Sequence, residues 1–123
     1  MVRKIGRIVT GHDARGRSTF LSDGPSPHVL TIGGRTDFAL TNLWVTDSTP
    51  ARTTGSGDAA DRPVVLEPPK QGTIFRVVEF PPEKTGGAFD RKQAFSAMGA
   101  GHAVGSRAAR PPALHKADSV DYA

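Results

Sequence analysis

Apolar residues fall along the chain in short runs that are separated by Gly, Pro, Asp and Ser, a pattern typical of β-strands joined by turns. The two strongest runs span residues 38–45 and 73–80. Weaker runs at residues 5–9, 20–21 and 28–32 predict three shorter strands. The pattern therefore predicts a mainly β protein.

The first strong strand has apolar residues on both faces, so we expect both faces to be buried. Strict alternation places Leu40 and Trp44 on one face, interrupted by the polar Asn42, and it places Leu43 and Val45 on the other.

A hairpin is predicted between the first two strands. Residues 11–16 contain Asp13, which can accept backbone hydrogen bonds, and Gly16, which can adopt the positive φ that closes such a turn. The second strand is expected to end near Pro25 and Pro27, because proline donates no hydrogen bond.

One short helix is predicted at residues 90–98. Asp90 can cap its first turn, Phe95 and Met98 share a face at a spacing of three residues, and Gly99 can form a left-handed C-cap. A helix of this length needs packing against the rest of the chain to be stable.

Long loops are expected elsewhere in the chain. Residues 53–63 are polar and hold no large apolar side chain, so they are predicted to be an exposed loop. Residues 99–112 are rich in Gly, Ala and Arg and are expected to be irregular.

The composition predicts one domain with a thin core. Val, Ile, Leu and Phe account for 26 of the 123 residues, a small supply of large apolar side chains. We expect two aromatic pairs, Phe38 with Trp44 and Phe75 with Phe80, to contribute to that core.

Cysteine is absent, which excludes a disulfide scaffold and any site built on a thiolate. No apolar run approaches the length of about 20 residues that crosses a bilayer. The expectation is a cytoplasmic protein with no membrane partner.

The net charge of +4 raises the question of a nucleic-acid partner. Five basic residues and no acidic ones lie in 91–116 and could form a basic arm. The sequence nevertheless contains no helix-turn-helix pattern, no zinc-finger spacing and no regular alternation of aromatic and basic residues. We therefore expect no nucleic-acid partner and keep the basic arm as the least favoured hypothesis.

The residues with the strongest chemistry lie near the end of the chain. If residues 115–122 form a strand, His115 and Asp121 point to the same face. An imidazole and a carboxylate on one face can hold a divalent metal when further ligands come from elsewhere. His115 and Asp121 are thus the candidate metal ligands, and no catalytic residue is assigned.

Several sequence segments, taken in order, resemble the N-terminal portion of the small single-domain cupins. The segments that carry the resemblance are 7–13, 16–18, 21–27, 43–51, 72–83 and 115–122. The resemblance implies a double-stranded β-helix, the jelly-roll barrel of that family. Because the second metal-binding motif and the last strands are not found in the sequence, we expect residues 1–123 to be the N-terminal part of one cupin domain, with an incomplete barrel.

The resemblance also implies a metal site with an incomplete ligand set. His115 matches the first His of the family's first motif and Asp121 matches its Glu, whereas the position of the second His is occupied by Ala117. A divalent metal is therefore the cofactor that the resemblance implies.

Two functions remain open on this resemblance. In the first, the intact protein binds or transforms a small aromatic or polyketide-like molecule inside the barrel, as an oxidoreductase of secondary metabolism. In the second, it is a non-catalytic cupin that binds a small molecule or has a structural role without metal. The resemblance further implies a homodimer, and it leaves open whether the chain is an enzyme.

Overall fold

The computed structural model describes residues 1–55, 57–82 and 91–103, and this part of the chain is mainly β. Five strands form two antiparallel sheets, and they close no barrel within the described residues. The mainly β prediction is confirmed, and so is the short helix near residues 90–98. The elements are β1 (Gly6–His12), β2 (Ser18–Pro25), β3 (Val29–Thr31), β4 (Ala39–Thr46), β5 (Thr73–Glu79) and α1 (Arg91–Ala97), followed by a 3-10 turn at Gly101–Ala103.

Strands β1 and β2 form a two-stranded hairpin, as predicted. In its turn, Asp13 Oδ1 accepts the backbone N–H groups of Arg15 at 2.8 Å and Arg17 at 3.0 Å. Gly16 has a φ of 73°, the conformation expected for it. Local turn chemistry is therefore sufficient to explain this hairpin.

Strand β2 ends at the first of the two prolines, as predicted. The strand continues to Pro25, which pairs with Gly6. The next residue, Ser26, donates its N–H to Ile5 O at 2.9 Å, so the Gly6–Pro25 pair falls at a non-hydrogen-bonded position of the ladder. Proline is tolerated there because its nitrogen has no partner to reach across the ladder.

Strands β3, β4 and β5 form the second sheet, in that order. Central strand β4 is buried on both faces, as expected. Leu40 and Val45 are buried on one face, and Thr41 is buried on the other. The two faces of β4 therefore both pack against other parts of the molecule.

A β-bulge changes the face assignment that alternation predicts for β4. Asn42 pairs with Arg76 and Trp44 pairs with Phe75, so Leu43 has no partner across the ladder. Residues after the bulge are shifted by one position. Trp44 consequently lies on the face opposite Leu40, which corrects the sequence prediction.

The predicted aromatic core is only partly correct. Phe38 is buried, and its ring centroid lies 5.5 Å from that of Phe80. Phe75 and Phe80 themselves are 65% and 74% exposed within the described structure. Within the described residues these two side chains are therefore not part of the core, because no described segment covers them.

Helix α1 packs on the Leu40 face of the second sheet. Phe95 and Met98 are buried there, as their spacing predicts. The chain then turns through Gly99, whose φ is 70°, which confirms the predicted left-handed C-cap. The predicted N-cap, Asp90, lies outside the described residues. The buried cluster consists of Ile32, Phe38, Leu40, Ala94, Phe95, Met98 and Ala100.

The loop predicted at residues 53–63 is exposed only in part. Ala60 is fully buried, and Asp58 is half-buried and accepts hydrogen bonds from distant residues. None of the described helices is long and apolar enough to cross a membrane.

Candidate functional site

A cleft of about 320 Å³ lies on the Leu40 face of the second sheet, next to the end of helix α1. Three sets of residues line it: a floor from β4 and β5, a wall from the segment 62–69, and one end from the C-terminus of the helix. The lining residues are Asn42, Val45 and Ile74 in the floor, Arg62, Pro63, Val65, Glu67, Pro68 and Pro69 in the wall, and Met98 and Gly99 at the end.

The β-bulge is what brings the floor residues together. Val45 pairs with Ile74 and Asn42 pairs with Arg76, and Ile74 and Arg76 lie two residues apart on β5. Without the extra residue at Leu43, Val45 would lie on the opposite face from Asn42. The floor is therefore a product of the strand register.

Arg76 connects the floor of the cleft to its wall. Its Nε donates to Asn42 Oδ1 at 2.9 Å, and its two terminal nitrogens donate to the backbone oxygens of Val65 and Leu66. Burial lowers the pKa of Arg76. These bonds hold the floor and the wall at a fixed separation.

Charged residues surround the opening of the cleft. Glu67 Oε1 accepts from His102 Nε2 at 2.8 Å, and Arg62 lies 3.6 Å from the carboxylate of Asp47. Glu67 and His102 are both well exposed.

A second cluster of charged side chains joins the two sheets. Arg7 from β1 donates to Asp58 Oδ1 at 3.0 Å and to the backbone oxygen of Leu43 at 2.9 Å, and its second terminal nitrogen contacts Asp58 Oδ2. His28 Nε2 donates to the same Oδ2 at 2.8 Å. The Arg7 side chain is only 7% exposed.

Hydrogen bonds from Arg7, with a smaller contribution from His28, hold the pKa of Asp58 well below its usual range, against the opposing effect of burial. The Arg7–His28–Asp58 cluster contains no nucleophile, since the nearby Ser26 hydroxyl donates to Asn42 O at 2.6 Å. We interpret this cluster as a structural joint between the β1–β2 hairpin and the second sheet.

The predicted metal ligands, His115 and Asp121, lie outside the described residues. Within residues 1–55, 57–82 and 91–103, no group of three or more His, Asp or Glu side chains could hold a metal ion. The described residues therefore offer no ligand set for the metal that the resemblance implies. No chemical step is assigned to a metal.

Sequence reasoning did not identify Asn42 and Arg76 as residues of a site. A signal was present, because each is a polar residue in an otherwise apolar stretch of a strong strand. A buried polar residue in a central strand needs a partner, and such pairs are commonly part of a site or of a structural network.

No protein-family model matches the chain. Over 83 residues the chain is 34% identical to the cupin-domain-containing oxidoreductase fogC of Aspergillus ruber (strain CBS 135680). The match covers 64% of this chain and 39% of that protein. The comparison thus indicates a distant similarity to a cupin-domain oxidoreductase over well under half of that protein's length.

Proposed function

We propose that this protein binds a small, largely apolar organic molecule in the cleft between the second sheet and the segment 62–69. The observation that carries the proposal is the shape and lining of the cleft. Val45, Ile74 and Met98 supply apolar surface, and Asn42 supplies a single buried polar group. A mostly apolar concavity with a few placed polar groups is the usual form of a small-molecule site.

The volume of the cleft suits a compound with one or two rings. A closed cavity of about 150 Å³ is large enough to bind benzene, and this cleft, which is open to solvent on one side, has a volume of about 320 Å³. The prolines of the wall, Pro63, Pro68 and Pro69, add rigid apolar surface that loses little entropy on binding. This supports an aromatic or other flat ring compound as the ligand.

The proposal is tested by filling the cleft. Ile74 is half-buried in the floor, and Ile74→Trp should occupy the space of one ring. We expect binding of 2-acetylnaphthalene, followed by ligand-observed NMR titration, to weaken by about tenfold or more, because loss of one buried ring contact costs at least about 1.4 kcal/mol.

The matched control is Phe75→Trp on the adjacent residue. Phe75 points to the other face of β5 and is 65% exposed, so this variant should bind the probe like the wild type. Equal weakening in both variants, or no binding by the wild type, would contradict the proposal.

A second candidate function is oxidation or reduction of the bound molecule, and the name of the similar protein from Aspergillus ruber supports it. In the cupin resemblance, His115 would be a metal ligand. We expect purified protein to contain a divalent metal by mass spectrometry, and His115→Ala to lower the metal content severalfold. Equal metal content in the two proteins would show that His115 is not a metal ligand. Binding of the small molecule without its chemical conversion would favour the non-catalytic alternative.

A further inference from the structure

We propose that Asn42 orients the ligand, and that the cleft selects molecules with a hydrogen-bond acceptor, such as a ketone or aldehyde oxygen, on an apolar ring. This inference rests on the proposed function, since it concerns the same cleft. It adds the chemical class of the ligand and names the residue that recognises it.

The orientation of the Asn42 amide is determined by its partner. An arginine side chain has only donors, so the atom that meets Arg76 Nε at 2.9 Å must be the amide oxygen. The nitrogen of the amide is therefore directed away from Arg76. Because Asn42 lines the cleft, this nitrogen is the part of the side chain available to a molecule bound there.

Within the described part of the chain no residue accepts a hydrogen bond from the amide nitrogen, and this atom is not one of the fully buried side-chain atoms that lack a partner, so it keeps a small contact with solvent. A hydrocarbon bound over it would remove that contact and leave a buried donor without a partner, which is costly. A ligand oxygen that accepts from this nitrogen would avoid that cost. The cleft is thus built to distinguish an acceptor from an apolar group.

The first test compares two probes of nearly the same shape. The acceptor 2-acetylnaphthalene carries C=O where 2-isopropenylnaphthalene carries C=CH₂. We expect the wild type to bind the ketone about three- to tenfold more tightly than the alkene, the range of one neutral hydrogen bond. Both dissociation constants are measured by ligand-observed NMR titration of the full chain.

The second test uses Asn42→Asp, which keeps an oxygen for Arg76 and replaces the free donor by an acceptor. The ketone should bind at least tenfold more weakly to this variant, because two acceptors then face each other, and the alkene should change by less than twofold. Retained alkene binding shows that the cleft is intact. Thr41→Val is the matched control, since Thr41 is equally buried but faces the other side of β4, and it should leave both affinities unchanged.

The outcomes separate this inference from the proposed function. Equal affinity of the wild type for the two probes, together with loss of binding in Ile74→Trp, would overturn the role of Asn42 and leave the cleft as the binding site. Failure of the wild type to bind either probe would overturn both proposals. If Asn42→Asp does not fold, the comparison of the two probes on the wild type still decides the inference.

Discussion

Asp58 shows how one carboxylate can connect distant parts of a small protein. It lies in a segment with little apolar character, yet it accepts hydrogen bonds from Arg7 and His28, which are 51 and 30 residues away in sequence. Arg7 is almost fully buried, so its charge depends on this partner.

The lowered pKa of Asp58 predicts a dependence of stability on acid pH. The unfolded carboxyl titrates near about 3.9, and the folded one titrates lower, so the folded state binds fewer protons in the acid range. The stabilisation from Asp58 is therefore complete above about pH 5 and is lost as the pH falls through and below the unfolded pKa.

Asp58→Asn tests this dependence. It leaves the buried Arg7 charge uncompensated, and we expect a loss of about 2 kcal/mol in the free energy of unfolding at pH 7, measured by urea titration. The loss should shrink as the pH is lowered toward 3. Asp37→Asn, which removes the local pair with Arg35, is the control and should have a much smaller effect at pH 7. The same pH slope in wild type and Asp58→Asn would contradict the assignment.

At the residue scale, the sequence marks the polar residues of the site without showing their partners. Asn42 and Arg76 stand out as polar residues inside strong strands. Their pairing across β4 and β5 depends on the register, and the register depends on a bulge at Leu43 that no local pattern indicates. The sequence therefore indicates the two polar residues of the site, but it does not indicate that they pair with each other.

At the element scale, the end of helix α1 is well specified by local chemistry. Ala100 N–H donates to Phe95 O at 2.7 Å, and Gly99 N–H donates to Ser96 O at 3.0 Å, the bonding pattern of a Schellman motif. This end directs the chain so that Leu66 N–H can donate to Met98 O at 2.9 Å, which ties the helix to the wall of the cleft.

Gly99→Ala should therefore destabilise the protein by about 1 kcal/mol, because Gly99 has a φ of 70° and an L-residue is strained there. An added Cβ would lie 3.6 Å from Val65 Cγ1, an ordinary contact, so strain rather than a clash is the cause. The change is measured as the shift of the urea midpoint.

Gly57→Ala is the control for this prediction, since a Cβ at that position meets no atom within 4 Å. It should leave the midpoint unchanged or raise it slightly. An unchanged midpoint in Gly99→Ala would show that the left-handed cap contributes nothing to stability.

Strand prediction was most accurate where burial and turn chemistry agree. The hairpin turn at Asp13 and Gly16 and the buried central strand β4 follow from local patterns. The end of β2 at Pro25 also follows from the sequence, because proline cannot donate to a continuing ladder. The exposure of Phe75 and Phe80 does not follow from the pattern, because alternation marks a face as apolar without showing what covers it.

At the scale of the whole molecule, the described residues form two sheets with different means of support. The second sheet and helix α1 share the buried cluster around Leu40 and Phe95. The β1–β2 hairpin exposes Ile8 and Phe20 and is attached to the second sheet through the hydrogen bonds of Arg7. The cleft lies on the side of the molecule where the apolar cluster supports its floor.

The sequence by itself determined the mainly β class, the hairpin turn, the central strand and the helix with its glycine cap, because each depends on residues that are close together in the chain. Only the tertiary structure decided which residues meet: the shifted faces of β4, the Asn42–Arg76 pair in the cleft and the Arg7–Asp58–His28 joint. These contacts join residues that are about 30 to 50 positions apart, and local patterns carry no information on which distant segments pack together.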